Sequence, residues 1–275
     1  MGSNMYAFND SIIGSSHIEV GKPCQDASVS RYTKTYAIGV VADGHGGQSY
    51  IRSDVGSRKA CEVTMNVMRE LLYTTSYFRH VPSGAWQQQI AGSIISRWQD
   101  AISIHKDNNP LSEDEWGLLS DRDKIRYEQG QWQFMYGTTL IAIVRTRTAF
   151  LGIQIGDGKC VTFDRDNQCY QPIPWDDDCF LNHTTSLCDS DAICRFRFVF
   201  QTENLPIAAF IGTDGVDDSL GTDERLEDFY LRVWNLLQSD KKDAVHFIHD
   251  FLPEMSAKGS HDDISIAGIY YDNEW

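Results

Sequence analysis

The chain has 275 residues, a formal net charge of −15 and 41% hydrophobic residues. That supplies enough apolar material for a sizeable core, while the acidic balance excludes nucleic-acid binding, which requires a basic stripe. No run of 18 apolar residues is present, so nothing is expected to span a membrane.

Further exclusions come from motifs. The seven cysteines are odd in number, widely spaced and without a CxxC pair; this fits reduced thiols in a cytoplasmic protein better than a disulfide framework. The N-terminus has no signal-peptide pattern, and Tyr6 stands where a myristoylation signal wants Ser or Thr. Met1–Asn4 reads as a cloning remnant with Met5 as the natural start, and no linker divides the rest, so residues 5–275 are expected to form a single domain.

In chain order, Tyr6–Ile13 is a first strand and Gly14–Gly21, with His17 inside it, a polar turn. Cys24-Gln25-Asp26-Ala27 leads into a second strand, Ser28–Tyr32. Tyr36–Ala42 is an apolar run that ends at Asp43 and a glycine-rich turn, Gly44-His45-Gly46-Gly47. This pattern describes a buried strand that delivers a carboxylate into a site. An acid beside a free carbonyl suits a hard divalent cation such as Mg²⁺ or Mn²⁺, and His45 sets a titratable group next to it. Gln48–Leu72 follows with Ile51, Val55, Ala60, Val63, Val67 and Leu71 at helical spacing, then Ser83–His105 with Trp86, Ile90, Ile94, Ile95, Trp98 and Ile102 on one stripe. Both stripes are expected to be core faces of an antiparallel helix pair packed on a sheet.

Residues 106–133 are charged and irregular, an insertion with a short helix near Glu113–Tyr127. From Gly137-Thr138-Thr139 the texture is that of strands: Leu140–Val144, Thr148–Ile155, Cys160–Asp164, Phe196–Gln201 and Ile207–Gly212, expected to form consecutive antiparallel hairpins. Between them, residues 171–194 read as a mobile loop beside the site. Helices are expected at Asp223–Leu237 and Lys241–Phe251, and a closing strand at Ile264–Tyr271. Helix pairs and runs of strands, rather than alternation, indicate an α+β layering.

Five acids share one setting, the boundary between an apolar run and a turn: Asp26 in CQDAS, Asp43 in VADGHGG, Asp157 in IGDGK, Asp214 in GTDGVDD and Asp262 in HDDIS. A single Asp-Gly is a routine turn, but sheets bring strand ends together, and clustered carboxylates repel unless cations neutralise them. Two cations bridged by a shared oxygen ligand would do so, with Asp43 as the bridging carboxylate. A cysteine nucleophile (Cys24, Cys160 or Cys188) is the rival reading; it lacks the C-x5-R sequence a phosphate cradle would need.

The ordered set CQDAS, VADGHGG, GTT, IGDGK, GTDGVDD and HDDIS resembles the metal-dependent protein phosphatases of the type 2C serine/threonine family, in particular its bacterial members, over about Ile13 to Tyr271. The resemblance implies a sandwich of two antiparallel β-sheets flanked by pairs of antiparallel helices. It further implies hydrolysis of phosphoserine and phosphothreonine in phosphorylated proteins, including substrates of a partner serine/threonine kinase, by a water shared between two Mn²⁺ or Mg²⁺ ions. By the same resemblance Asp43 bridges the two metals and Gly44 offers a carbonyl. Asp26 holds one metal, Asp214 and Asp262 the other, Asp157 with Asp214 a weaker third, and His45 is the general acid. Three departures stand out. Gln25 and Asp263 replace the Glu and Asn of many members, and the family's phosphate-binding arginine falls on Gly21, leaving Lys22 or His17 as substitutes. A phosphoprotein-binding module with little turnover is the alternative reading.

Overall fold

The computed structural model describes residues 4–74, 84–180 and 183–272. Its strands are β1 (Asn4–Ile12), β2 (Ala27–Tyr32), β3 (Tyr36–Ala42), β4 (Leu140–Thr146), β5 (Phe150–Ile155), β6 (Lys159–Phe163), β7 (Cys169–Tyr170), β8 (Arg197–Gln201), β9 (Ala208–Gly212) and β10 (Ile264–Asp272). They form two antiparallel five-stranded sheets, ordered β1-β10-β9-β6-β7 and β2-β3-β4-β5-β8. The helices are α1 (Ser15–Val20), α2 (Ser53–Tyr73), α3 (Gly84–Asn108), α4 (Glu113–Leu118), α5 (Asp121–Glu128), α6 (Ala192–Arg195), α7 (Asp214–Leu220), α8 (Asp223–Ser239) and α9 (Lys241–Lys258).

Every residue of β3 is buried because both its faces are covered. Ile38, Val40 and Ala42 pack with the α2 and α3 stripes, while Ala37 and Val41 point at the other sheet. That is why the strand reads as a continuous apolar run instead of an alternation. Three apolar layers result: helices α2/α3 on one sheet, sheet on sheet, and α7, α8 and α9 on the other sheet. The expected α+β sandwich with flanking helix pairs is what the chain forms. A Cβ on Gly39 would stand 3.2 Å from that of Ala267, so the sheets approach closely at this point.

Some expectations need correction. Gly14–Gly21 is not merely a turn: it contains α1, closed by Gly21 in the left-handed region (φ 69°). The helix expected near Glu113–Tyr127 is two helices, because Ser112 caps α4 with a full capping box and Ser120 caps α5. The start of the second stripe at Ser83 lies outside the described residues, as do Met1–Ser3; Asn4 pairs with Asp272 in β1. Over residues 140–212, among those described, consecutive hairpins hold for β4–β5 and β6–β7 alone. From β5 to β6 the chain leaves one sheet for the other, and from β8 to β9 it does so again. The crossing turn is Gly156-Asp157-Gly158, with Gly156 at φ 103° and Gly158 packed so tightly that a Cβ would lie 2.4 Å from the Gly212 carbonyl. Only glycine fits such positions without strain, and the crossing sets Asp157 in the gap between the sheet ends.

Candidate active site

The five acids lie at one end of the sandwich. Asp43 follows β3, Asp157 follows β5 and Asp214 opens α7 after β9. A carboxylate oxygen from each of these three lies within 4.8 Å of the others. Asp26 precedes β2, buried, and its Oδ2 accepts from the Thr213 hydroxyl at 2.7 Å. Asp262 is exposed beside β10 and falls in a second cluster with His17 and Asp263.

Burial and mutual repulsion raise Asp26, Asp43 and Asp214, and burial raises Asp157. Asp43 is pushed well above its ordinary value by burial and then by the charges of Asp214, Asp26, Asp157 and Asp262. Asp214 is raised likewise by burial and by Asp157, Asp26 and Asp262. Burial lifts Asp26 to about 8, against the Thr213 hydrogen bond. Asp157 is raised by burial, and its Oδ1 is buried with no hydrogen-bond partner. An orphaned oxygen on a carboxylate grouped with two further carboxylates is costly unless something positive sits there. An oxygen-only donor set of this kind fits a hard divalent cation, so the residues present suit the metal that the motif order implies.

The turn that carries Asp43 is held from several directions. The Asp43 carbonyl accepts from Thr139 N and from the Thr138 hydroxyl, both at 2.8 Å, and the Asp43 amide donates to the Thr139 hydroxyl at 3.1 Å. Gly44 N donates to the Gln25 carbonyl at 3.1 Å, and a Cβ at Gly44 would stand 2.5 Å from that same oxygen. The side chain of Gln25 donates to the His45 carbonyl at 3.2 Å and to the Ser53 hydroxyl, which in turn reaches the His45 carbonyl at 2.9 Å. A glutamate could not donate in this way, so the departure at residue 25 braces the turn. The departure at residue 263 has a similar use. Asp263 is buried and accepts from Gly14 N and Gln25 N, each at 2.6 Å, and bonds His17 Nδ1 at 2.9 Å. It thereby ties α1 and the Asp26 segment to β10.

His45 stacks edge-on against Tyr50, and its Nε2 lies 2.8 Å from the Ser186 hydroxyl. Burial pushes its imidazole down to about 4, so the ring is neutral near neutral pH. Of the two expected phosphate contacts, Lys22 is exposed, with Nζ 3.4 Å from the Gly46 carbonyl, while His17 is buried with Nδ1 committed to Asp263. Gly21, where the arginine was expected, is a left-handed helix cap that a larger side chain would strain.

Residues 171–180 and 183–194 border the site and are tethered to it. The Thr185 hydroxyl accepts from Gly156 N at 3.0 Å and donates to Asp176 at 3.0 Å, and Arg197 reaches the Gly156 carbonyl and, at 3.8 Å, Asp176. Nothing in the sequence pointed to Ser186, which the fold sets against His45; Thr138 and Thr139 were visible only as an unexplained GTT. The three rival thiols offer no nucleophile at neutral pH: burial raises Cys24 and Cys160 far above the ordinary thiol and Cys188 to about 11.

A family model described as Protein phosphatase 2C matches residues 13–253. The chain belongs to that family. It is accordingly a serine/threonine protein phosphatase, and the family is metal-dependent. Among solved structures it is similar to the catalytic domain of the serine/threonine phosphatase PstP in complex with two manganese ions. That likeness has 16% identity and a TM-score of 0.58, and it covers 98% of this chain and 100% of that one. It is also similar to the serine/threonine phosphatase Stp1 from Staphylococcus aureus (14% identity, 99% and 97% covered, TM-score 0.58). A third similar structure is RsbX in complex with magnesium (14%, 98% and 96%, TM-score 0.53). At these identities the likeness is one of fold. No curated protein sequence matches.

Proposed function

We propose that this phosphatase hydrolyses phosphoserine and phosphothreonine in proteins, at the end of the sandwich where Asp43, Asp157 and Asp214 converge. The observation that carries the reading is the convergence itself, with its orphaned Asp157 oxygen and mutually raised carboxyls. Asp43 with the Gly44 carbonyl would hold two divalent cations, Mn²⁺ or Mg²⁺, aided by Asp26 on one side and by Asp214 and Asp262 on the other; Asp157 with Asp214 would hold a weaker third. When bound, such a pair neutralises a phosphate dianion and lowers the pKa of a shared water toward neutrality. The part of the protein in the chemistry is then orientation and proton supply. Thr138, Thr139 and Gln25 fix the backbone of Asp43–His45. His45 gives the departing serine or threonine alkoxide its proton, once the arriving dianion has raised the ring from its low value in the free protein. Lys22 meets the non-bridging oxygens as a point charge.

The test is phosphate release from a phosphoserine peptide with Mn²⁺, with EDTA, and in Asp43→Asn. Turnover with Mn²⁺ that vanishes on chelation and falls at least about a thousandfold in Asp43→Asn is expected. Full turnover in EDTA would remove the reading. One observation favours a second reading: no arginine can take the usual phosphate-binding place, because Gly21 occupies a left-handed cap. If the peptide binds with Mn²⁺ present but is not hydrolysed, the chain is a phosphoprotein-binding module with little turnover.

A further inference from the structure

A cavity of about 840 Å³ opens at the opposite end of the sandwich from the carboxylates. Its walls come from the ends of β4, β6 and β10 and the segments flanking β8 and β9. Along β4, Arg145 stands five residues beyond Leu140, about 17 Å at the rise of an antiparallel strand. Leu140 immediately follows Thr139, which binds the Asp43 backbone. The cavity is therefore outside the site already described.

Its lining contains three arginines, Arg145, Arg147 and Arg165, in a protein with an excess of acid. Arg145 is the unusual one. On β4 the residues facing the second sheet alternate Ile141, Ile143, Arg145, so a guanidinium continues a row that is otherwise apolar core. It is 7% exposed. Its Nε donates to the Pro206 carbonyl at 3.0 Å and one Nη to the Thr146 carbonyl, and it lies 5.7 Å from the ring centre of Tyr271. Among the described residues none of the three arginines has an ion-pair partner, whereas Arg52, Arg58, Arg97, Arg126, Arg195 and Arg197 are each paired with a carboxylate. Two acids do line the cavity, but Asp164 binds the Asp166 and Gln168 amides through Oδ1 and faces the Tyr170 hydroxyl at 3.3 Å through Oδ2, and Asp166 is at the exposed rim. Burial depresses Arg145 to about 10, with Tyr271 acting against that and the like charge of Arg165 adding to it. A buried cation without a counterion is disfavoured until an anion arrives.

We propose that this cavity binds a small phosphate-bearing molecule of nucleotide size, held by Arg145, Arg147 and Arg165. Several guanidiniums at one point match the planar, bidentate recognition of phosphate oxygens, and a dianion balances their charge better than a carboxylate does. A volume of about 840 Å³ holds far more than a bare phosphate ion. Tyr170, exposed in its wall, offers a ring to stack on.

The test is calorimetric titration of the metal-free full chain in EDTA at low salt, which keeps divalent cations, and with them phosphate, away from the carboxylate end. The probes are AMP and inorganic pyrophosphate. One molecule per chain is expected to bind, weakened about tenfold or more in Arg147→Gln/Arg165→Gln, whose residues are exposed and outside the core. Arg145→Gln should abolish binding, and Asp43→Asn should leave it unchanged. Tighter AMP points to a nucleotide and tighter pyrophosphate to a free phosphate chain; either result supports the site. No binding up to about 10 mM, unchanged affinity in the double variant, or an equal loss in Asp43→Asn would overturn it.

Discussion

The neutral imidazole of His45 constrains how the leaving group can be served. Ser186 has a single hydroxyl proton, and its oxygen stands 2.8 Å from His45 Nε2 and 3.2 Å from the Thr138 carbonyl. When that proton goes to the carbonyl, Nε2 must be the donor to Ser186. His45→Gln keeps a donor of similar reach but cannot shuttle a proton at neutral pH. The expected outcome is a fall of about a hundredfold on a phosphoserine peptide and only a few-fold on nitrophenyl phosphate, whose leaving group needs no proton. Steady-state rates on the two substrates check this, and equal losses would reduce His45 to a ring that orders its surroundings. Ser186→Ala should shift the peptide rate in the same direction by a smaller factor.

Arg52 shows the same kind of dependence between elements. Buried at the start of α2, it donates Nε and Nη2 to Glu115 of α4 at 2.6 and 2.9 Å and Nη1 to the Asn109 carbonyl and the Tyr136 hydroxyl at 2.8 and 3.0 Å. Ser49 adds a bond to Asp123 of α5 at 2.7 Å. The segment 106–133 is thus fastened to the residues that follow the Asp43 turn. Arg52→Ala is expected to cost about 3 kcal/mol, lowering Tm by about 6–12 °C, with the first proteolytic cut falling in α4–α5. Calorimetry and limited proteolysis measure both. None of this was legible in the sequence, where 106–133 has only its charge and no stripe. Elements with a strong period were legible: β3 matched its apolar run, and α2 and α3 their stripes. The crossing from β5 to β6 was not, because Gly-Asp-Gly suits a hairpin as well as a change of sheet. The acids could be placed at strand ends, but which would crowd together depended on the sheet order. Arg145 was hidden for the same reason, since only pairing reveals which face of β4 it occupies.

For the whole molecule the crowded acids make stability depend on pH with a sign opposite to ordinary acid denaturation. Asp26, Asp43 and Asp214 hold their protons more tightly folded than unfolded, with Asp26 near 8 against an ordinary 3.8. Between about pH 4 and pH 8 the unfolded chain binds fewer protons at these groups, so their contribution to stability falls as pH rises. Metal-free protein should therefore melt lower at pH 8 than at pH 5.5. A cation that binds only the folded form should reverse this, adding about 2.7 kcal/mol per site at a hundred times its Kd, or about 5–10 °C in Tm. Melting curves with EDTA and with Mn²⁺ across that range test it. A metal-free Tm that rises steadily to pH 8 would mean that the carboxyls are not crowded as described.

The pairing of β1 with β10 fixes when the protein can begin to work. Among the described residues, Asn4–Ile12 pairs as a strand with Ile264–Asp272 alone, and Asp262 and Asp263 come just before that strand. During synthesis the first strand must wait on the order of ten seconds or more for its neighbour to be made. Until then the sheet has an unpaired edge, and the carboxylate end lacks the Asp263 bonds that draw Gly14 and Gln25 into place. A half-made chain on the ribosome should be catalytically silent and in need of protection from aggregation, with activity arriving as the last strand is inserted.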